Sequence, residues 1–160
     1  MPASKLQAFL DEHDVRYDTI HHPQSFTAQE IAASAHIPGR ELAKTVMVKL
    51  DGRLAMAVVP APDQVSLMRL KEMTGAHTVA LAAEEDFRDL FVSCETGAMP
   101  PFGNLWDVPV FVDRKLEEDE SIAFNGGSHT ELVRLAWADY RRLVEPEVGE
   151  LSGKARRRGH

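Results

Sequence analysis

Cysteine is almost absent from this chain of 160 residues, in which Cys94 is the single one. An internal disulfide is therefore excluded, and this fits a reducing compartment. Apolar runs of the roughly 18–20 residues that cross a bilayer are also lacking. The first residues, Met1 to Lys5, do not have the basic and then apolar pattern of a signal peptide. We therefore expect a soluble, cytoplasmic protein that has no membrane partner.

Signatures of cofactors and metals are missing as well. The sequence contains no phosphate-binding glycine loop and no dinucleotide fingerprint. The adjacent His21 and His22 are expected to point to opposite faces of a strand, and no other His, Cys or Asp spacing resembles that of a zinc site. We expect neither a metal nor a cofactor.

Positive charge is scarce in most of the chain. The sequence has 18 Lys and Arg against 25 Asp and Glu, a net charge of −7. Four of the basic residues and none of the acidic ones lie in the last ten positions, so residues 1–150 carry a net charge of −11. Because sequence-independent binding of duplexes depends mainly on neutralising phosphates, this acidic body argues against a DNA-binding protein. The basic run from Lys154 to Arg158 either supplies phosphate contacts or forms a solubilising, disordered end.

Composition and patterning indicate one globular domain. Hydrophobic residues make up 44% and charged residues 27% of the chain, values typical of domains with a buried core. Helices are predicted over residues 4–13, 27–35, 67–74, 83–91 and 137–144, and strands over 17–21, 43–50, 53–60, 77–81, 108–113, 121–124 and 129–135. This mixture predicts an α+β domain over residues 1–146, built around a mixed sheet. Residues 147–160 lack periodicity, and we expect them to form a basic, flexible tail.

The clearest local pattern is a hairpin that contains Lys44. The sequence AKTVMVKL-DG-RLAMAVVP places Asp51-Gly52, a pair suited to positive φ angles, between two strand-like runs. The two-residue turn sets the register and opposes Lys44 to Val59. Lys44 then stands at the end of an apolar row, and both faces of the hairpin are apolar. Such a lysine either binds a ligand or extends its ammonium group to water, and the residue types alone leave both interpretations open.

Two glycine-containing loops are further candidates for a binding site. The first loop consists of Gly97, Ala98, Met99, Pro100 and Pro101. Its adjacent prolines exclude a helix or a central strand, and it is either an apolar wall that selects a small side chain or a plain connection. The second loop consists of Gly127, Ser128, His129 and Thr130. Its glycine lets backbone N–H groups approach a ligand and its imidazole can donate or accept a proton, although similar turns also occur without a ligand.

Together these segments resemble the YbaK/prolyl-tRNA-synthetase-associated domain family, the freestanding relatives of the editing domain inserted in bacterial prolyl-tRNA synthetases. The matching segments, in chain order, are Thr27-Ala28-Gln29-Glu30-Ile31-Ala32, Ala43-Lys44-Thr45-Val46, the GxxxP loop from Gly97 to Pro101, and Gly127-Ser128-His129-Thr130-Glu131. They extend over nearly the whole predicted domain, and their order and spacing carry the resemblance.

The resemblance implies a mixed sheet, partly closed like a barrel and flanked by helices, with a pocket for the aminoacyl-adenosine end of a mischarged tRNA. It implies an enzyme, a trans-acting aminoacyl-tRNA deacylase, whose partners are the tRNA acceptor end and an aminoacyl-tRNA synthetase. In the family, the lysine matching Lys44 is critical and holds the terminal ribose and phosphate region without acting as a covalent nucleophile. The loop matching Gly97 shapes the amino-acid pocket, and the segment matching His129 helps to bind the substrate.

Substrate identity and two alternative functions stay open from the sequence. The resemblance offers two substrates, alanine or cysteine on proline tRNA. Relatives that clear alanine commonly have asparagine where Thr45 follows Lys44 here, which weakens the transfer of that specificity. One alternative is a noncatalytic module that binds an aminoacyl group or a nucleotide. The other is a hydrolase of a small ester or thioester that uses Cys94.

Overall fold

The computed structural model describes residues 4–23, 30, 33, 41–91, 94, 95 and 98–153, and these form an α+β domain as predicted. Within them the helices are Ser4–Glu12 (α1), Leu67–Thr74 (α2), Glu84–Phe87 (α3) and Trp137–Val144 (α4). The strands are Tyr17–His21 (β1), Ala43–Leu50 (β2), Arg53–Pro60 (β3), Gln64–Val65 (β4), Val79–Leu81 (β5), Val110–Asp113 (β6), Ser121–Asn125 (β7), Glu131–Ala136 (β8), Glu147–Gly149 (β9) and Ser152–Gly153 (β10). None of these helices combines the length and the apolarity needed to cross a bilayer.

The β2–β3 hairpin lies at the centre of the largest sheet, whose strand order is β5-β2-β3-β6-β9. Its turn has Asp51 at φ 51° and Gly52 at φ 84°, the two positive angles that a type I′ turn requires. The strand pairing places Lys44 opposite Val59. The hairpin and its register are therefore confirmed.

Apolar clusters cover both faces of this hairpin, as its sequence predicts. Val48, an even-numbered residue of β2, packs in a cluster with Leu70 of α2. Met47, its neighbour on the other face, belongs to the main cluster, which also contains Leu6 of α1 and Tyr140 of α4. Because successive side chains of a strand point to opposite faces, one strand contributes to both clusters.

A second sheet of three strands, in the order β1-β8-β7, lies beside the start of β2, and a third sheet consists of β4 and β10. Within the described residues, a bridge in parallel orientation between Leu42 and Ala123 joins the second sheet to the large one. Beyond this bridge β2 pairs with β3 and β5 and no longer with β7. The mixed sheets flanked by helices match the expected fold, but the sheets are not closed into a barrel, because they diverge after this point of contact.

Strand β5 is shorter than the predicted strand over 77–81 because a side chain takes the first backbone donors. The Asp51 carboxylate accepts hydrogen bonds from the N–H groups of Thr78, at 2.8 Å, and His77, at 3.0 Å. The Thr78 N–H and, to a smaller extent, the His77 N–H hold the pKa of Asp51 below its ordinary value. Pairing with β2 consequently begins at Val79.

The other differences within the domain also lie at the ends of elements. The helix predicted over 83–91 is regular only over α3. The strand predicted from residue 129 begins at Glu131, because the Ser128 hydroxyl accepts the N–H of Thr130 at 3.1 Å and forms a turn. The helix predicted over 27–35 lies outside the described residues except for Glu30 and Ala33, which are both helical.

The segment expected to be a flexible tail from residue 147 contains two strands. β9 pairs with β6 in parallel orientation, and β10 pairs with β4. Asp113, which is 2% exposed at the end of β6, accepts the N–H groups of Leu151 and Ser152 through Oδ1, both at 3.0 Å. Strands of two or three residues are too short to show a hydrophobic period, so the sequence pattern misses them. The folded part extends at least to Gly153.

Substituting Asn for Asp113 tests this attachment. An amide presents one oxygen where the carboxylate presents two, so at least one of the N–H groups of Lys115, Leu151 and Ser152 loses its acceptor. We expect Asp113→Asn to lower the free energy of unfolding by about 2 kcal/mol, measured by denaturant unfolding. Amide exchange is expected to accelerate at one or more of Lys115, Leu151 and Ser152, whereas the exposed Asp89→Asn serves as a control. Unchanged exchange at all three amides would show that other contacts hold these segments.

Candidate functional site

Lys44 lies on β2 between two apolar clusters. Val46, two residues on, packs in the cluster beneath α2, and the cross-strand partner Val59 is fully buried there. Leu42, two residues before, belongs to a smaller cluster at the second sheet. Lys44 itself is half-buried. Its aliphatic stem therefore has apolar neighbours on the same face of β2, while the charged end remains within reach of solvent.

The ammonium group of Lys44 differs from that of Lys49 in having no fixed counter-charge. Within the described part of the chain, no ion pair or hydrogen bond engages Lys44. Lys49, which points to the opposite face of β2, lies 3.1 Å from the carboxylate of Asp86. Of the two lysines on this strand, Lys49 is engaged by the fold and Lys44 is available to a ligand.

The smaller cluster forms an apolar floor beside Lys44. The floor consists of buried Leu42, Ala123 and Leu132, with Ile20 and Ala61 packed against them. Since β2 and β7 run in the same direction at the bridge between Leu42 and Ala123, Lys44 and Asn125 each lie two residues beyond it. Alternation along β2 then places Lys44 on the face of Leu42, at the edge of the floor.

A buried ion pair holds β2 against the second sheet next to the floor. Oε1 of Glu41, which is 5% exposed, accepts a hydrogen bond from Nε of Arg134 at 2.7 Å, and Nη2 of Arg134 lies 2.7 Å from the same oxygen. Glu41 directly precedes Leu42, and Arg134 is the cross-strand partner of Ala123. Because a buried carboxylate is costly without its partner, this pair favours the observed position of β2 against the second sheet. The pair therefore helps to fix the position of Lys44 relative to the second sheet.

The two loops singled out in the sequence are joined by backbone hydrogen bonds. The N–H of Gly127 donates to the carbonyl of Ala98 at 2.9 Å, and the N–H of Glu95 donates to the carbonyl of Gly127 at 2.7 Å. Gly127 has a φ angle of 105°, which residues with a side chain rarely adopt. Glycine is therefore favoured where the loops meet, and the two separate candidates are joined directly to each other.

Glu95 is a residue beside the junction of the two loops that the sequence pattern did not single out. Its carboxylate accepts a hydrogen bond from the N–H of His129, and this bond is the main reason why the pKa of Glu95 lies below its ordinary value of 4.5. The two residues are 34 positions apart in the chain. No local pattern marks such a glutamate, because its role arises only when the two loops meet.

The second loop is also held from the side of β1. The hydroxyl of Ser128 lies 2.9 Å from that of Thr130, and the carbonyl of Thr130 accepts the N–H of His22 at 2.9 Å. His129, between Ser128 and Thr130, is half-buried. The loop is therefore fixed on one side by Glu95 and on the other by the end of β1, with the imidazole of His129 between these two attachments.

The first loop is packed into the fold. Ala98 and Met99 are 0% and 4% exposed, and Pro100 and Pro101 are buried as well. The hydroxyl of Tyr140, a fully buried residue of α4, donates to the carbonyl of Pro101 at 2.7 Å. Gly97 lies outside the described residues. A backbone anchored in this way suits a rigid wall better than an adaptable loop.

Cys94, possible metal ligands and the cavities of the described structure are alternative candidates for a site. Cys94 is half-buried and packs against the main cluster. Among the described residues, no group of three or more His, Cys, Asp and Glu is placed to hold a metal ion. One cavity lies against β6 and β9 and another against β1 and β8, and neither is lined by Lys44 or by the two loops.

Comparison with known families identifies the class of domain to which the chain belongs. The family model described as an aminoacyl-tRNA editing domain matches residues 22–143. This range includes Lys44 and both loops. The chain therefore belongs to the aminoacyl-tRNA editing domain family, which confirms the family resemblance inferred from its motifs.

Similar curated proteins are much longer than this chain. A proline–tRNA ligase of Bacillus mycoides is 26% identical over 103 residues, which are 64% of this chain and 18% of the ligase. A proline–tRNA ligase of Bacillus cytotoxicus is 29% identical over the same shares of the two chains. The chain thus spans about a fifth of the length of the curated relatives it matches.

Solved structures share the fold over almost the whole chain. The crystal structure of the hypothetical protein APE2540 has a TM-score of 0.81 and 20% identity, and covers 94% of this chain and 100% of its own. A protein described as a candidate trans-editing enzyme for prolyl tRNA synthetase also has a TM-score of 0.81 and 20% identity, covering 94% of this chain and 96% of its own. At this identity the likeness establishes the fold.

The hydrogen bond between Glu95 and His129 predicts a pH dependence of the second loop. Because the folded state lowers the pKa of Glu95, the bond is fully formed above the ordinary value of 4.5 and is lost as the pH falls through the lower folded value. We expect the amide proton of His129, followed by NMR, to titrate with a midpoint below pH 4.5. Glu95→Gln is expected to abolish this titration. A midpoint at or above 4.5 in the native protein would contradict the bond.

Proposed function

We propose that this chain is a trans-acting aminoacyl-tRNA deacylase, which hydrolyses the ester bond of mischarged tRNA at the acceptor end. The observation that carries the proposal is the ammonium group of Lys44, unpaired within the described residues and placed at the edge of an apolar floor. Membership of the editing family supports the reaction class. A cation beside an apolar surface suits a ligand that has a phosphate at one end and a small side chain at the other.

The proposal divides the work among three segments. Lys44 holds the terminal ribose and phosphate region by charge. The first loop, Gly97 to Pro101, limits the size of the attached amino acid, and its described part is buried and anchored to Tyr140. The second loop, Gly127 to Thr130, contacts the aminoacyl-adenosine. The hydrogen bonds between the loops support a fixed distance between the wall and the substrate contacts.

The chemistry required of such a site is modest. An aminoacyl ester is already activated, so hydrolysis needs a positioned water molecule, an acceptor for its proton and stabilisation of the developing negative oxygen. The unacylated hydroxyl of the terminal ribose lies next to the ester and can help to orient the water. No covalent intermediate is required, and Lys44 acts as a cation throughout.

A pocket that admits only small amino acids matches the errors that synthetases make. A synthetase pocket discriminates against an amino acid that lacks one methylene group by only about 1–3 kcal/mol, so smaller amino acids are attached in error. A second site with a small pocket removes them. The proposed substrates are alanine or cysteine esterified to proline tRNA, and the ligase relatives support proline tRNA.

The negative charge of residues 1–150 limits how much of a tRNA this chain is expected to contact. A net charge of −11 over residues 1–150 opposes extensive contact with RNA phosphates. The proposal therefore confines tRNA binding to the acceptor end, with delivery by an aminoacyl-tRNA synthetase as a further partner interaction. Since charged tRNA is a cytoplasmic substrate in bacteria, the proposal also places the protein in the cytoplasm.

Removing the ammonium group tests the proposal directly. We expect Lys44→Ala to slow deacylation of its mischarged tRNA by about 100-fold, the size typical of losing one charge-stabilising group. Lys44→Arg is expected to be slow as well, because a planar guanidinium does not replace a compact ammonium group. Deacylation time courses on alanyl-, cysteinyl- and prolyl-tRNA measure the rates and the specificity together.

Lys49→Ala is the matched control for that experiment, since Lys49 lies on the same strand, points to the other face and is paired with Asp86. It is expected to keep the wild-type rate. If folded Lys44→Ala deacylates as fast as the wild type, the assignment of Lys44 fails. If wild-type protein binds charged tRNA but never releases the amino acid, the chain is a binding module.

The basic residues after Gly153 provide a separate test of RNA contact. The end of β3 pairs with the start of β2, where Lys44 lies, and β4 follows β3 in the chain. Because β10 pairs with β4, the described chain ends near the same end of the hairpin as Lys44. We expect deletion of residues 154–160, which leaves β10 intact, to weaken tRNA binding at low salt. The slope of log affinity against log salt should become shallower by about 0.7 for each lost phosphate contact. Unchanged affinity would assign this segment a solubilising role.

A further inference from the structure

His22 is a buried histidine with an unused ring nitrogen beside the second loop. The residue is 8% exposed, and its Nε2 has no hydrogen-bond partner in the part of the chain that the structure describes. Its backbone N–H donates to the carbonyl of Thr130. Because buried polar atoms are almost always paired, an unpaired one next to a candidate binding loop points to a ligand group that completes it.

The chemistry of the ring determines what kind of group is missing. Nδ1 of His22 lies 3.0 Å from the carbonyl oxygen of Pro23. A carbonyl oxygen can only accept a hydrogen bond, so Nδ1 must carry a proton to donate. In the neutral imidazole, Nε2 then has a lone pair and no proton. Its complement is a hydrogen-bond donor.

The fold places this nitrogen on the same side as Lys44. His22 lies two residues after Ile20 in the chain. Ile20 is the cross-strand partner of Leu132, and His22 continues this pairing through its hydrogen bond to Thr130. Ile20 and Leu132 both belong to the floor. Alternation along the chain therefore places the imidazole of His22 on the floor's face, and Lys44 stands at the edge of the same floor.

His21 illustrates the other side of the strand. It pairs with Glu131, and its Nδ1 lies 3.9 Å from the Glu131 carboxylate. Its side chain is 73% exposed, whereas His22 is buried. Adjacent histidines thus occupy opposite faces, and only His22 faces the floor.

We infer that Nε2 of His22 accepts a hydrogen bond from the unacylated hydroxyl of the substrate's terminal ribose. The inference rests on the proposed function. An aminoacylated adenosine carries its amino acid on one of two neighbouring hydroxyls, and the other is a donor next to the ester. The phosphate that Lys44 attracts has no proton to donate at neutral pH, so the two residues recognise different parts of the same ligand. His22 would orient the hydroxyl and thereby define where the ester sits.

Two stable analogues of the substrate end isolate this contact. One is adenosine with alanine attached through a 3′-amide and with its 2′-hydroxyl present, and the other is the matching 2′-deoxy compound. The α-ammonium group, the rival donor, is the same in both. We expect wild-type protein to bind the hydroxyl analogue about 10-fold more tightly than the deoxy analogue, the effect of one well-formed hydrogen bond.

Four variants separate the two ring nitrogens. Asparagine keeps a donor near the position of Nδ1 and leaves nothing at Nε2, so H22N should bind both analogues equally. Glutamine places its amide oxygen near the position of Nε2, so H22Q should keep much of the preference. H22L removes both groups and should show no preference. H21N, the control on the opposite face, should keep the full preference.

Binding is measured by calorimetry on protein whose folding has been checked by thermal unfolding, and H22L replaces H22N in the comparison should H22N unfold. A 10-fold preference that persists in the folded variant without Nε2 would overturn the inference, as would equal binding of the two analogues by wild type. Wild-type protein that binds neither analogue and deacylates no charged tRNA would contradict the proposed function itself. The two failures are therefore distinguishable.

Discussion

The bridge between Leu42 and Ala123 is the contact on which the candidate site depends. It brings β2 against β7 for one residue pair, after which β2 turns away to join the large sheet. The apolar floor at this divergence comes from both sheets, with Lys44 at its edge. The ion pair of Glu41 with Arg134 reinforces the contact from the neighbouring position. A closed barrel would have continued the pairing and placed backbone hydrogen bonds where the proposed ligand lies.

Electrostatics gives Lys44 its importance. Other described cations lie beside carboxylates, as Lys49 does beside Asp86 and Lys115 beside Asp63. In a body of high negative charge, long-range attraction of RNA is weak, and binding depends on contacts at short range. A half-buried ammonium group next to apolar side chains provides such a contact, because partial exclusion of water strengthens its attraction for a phosphate.

Elements whose structure is determined by neighbouring residues could be predicted from the sequence. The Asp51-Gly52 turn fixes the register of the hairpin by its own φ angles, and the helix from Trp137 follows from its apolar spacing. β9 and β10 could not be predicted, because such short strands show no hydrophobic period and form only by pairing with β6 and β4, which lie far away in the chain. The same division holds at the site. Residue types and order singled out Lys44 and both loops, whereas Glu95 and the floor arise from contacts between distant segments that no single window of sequence contains.

The carboxylate of Asp51 also has a consequence for how copies of this protein meet one another. By binding the N–H groups of His77 and Thr78 it limits β5 to three residues, and β5 is the outermost strand of the large sheet. A long outer strand would offer a neighbouring molecule a ladder of unpaired backbone groups, and Leu81, which is 61% exposed, would add an apolar contact to it. Three residues give too short a template for stable strand addition. One aspartate thus takes part in the hairpin turn and also shortens the strand that the large sheet presents at this edge.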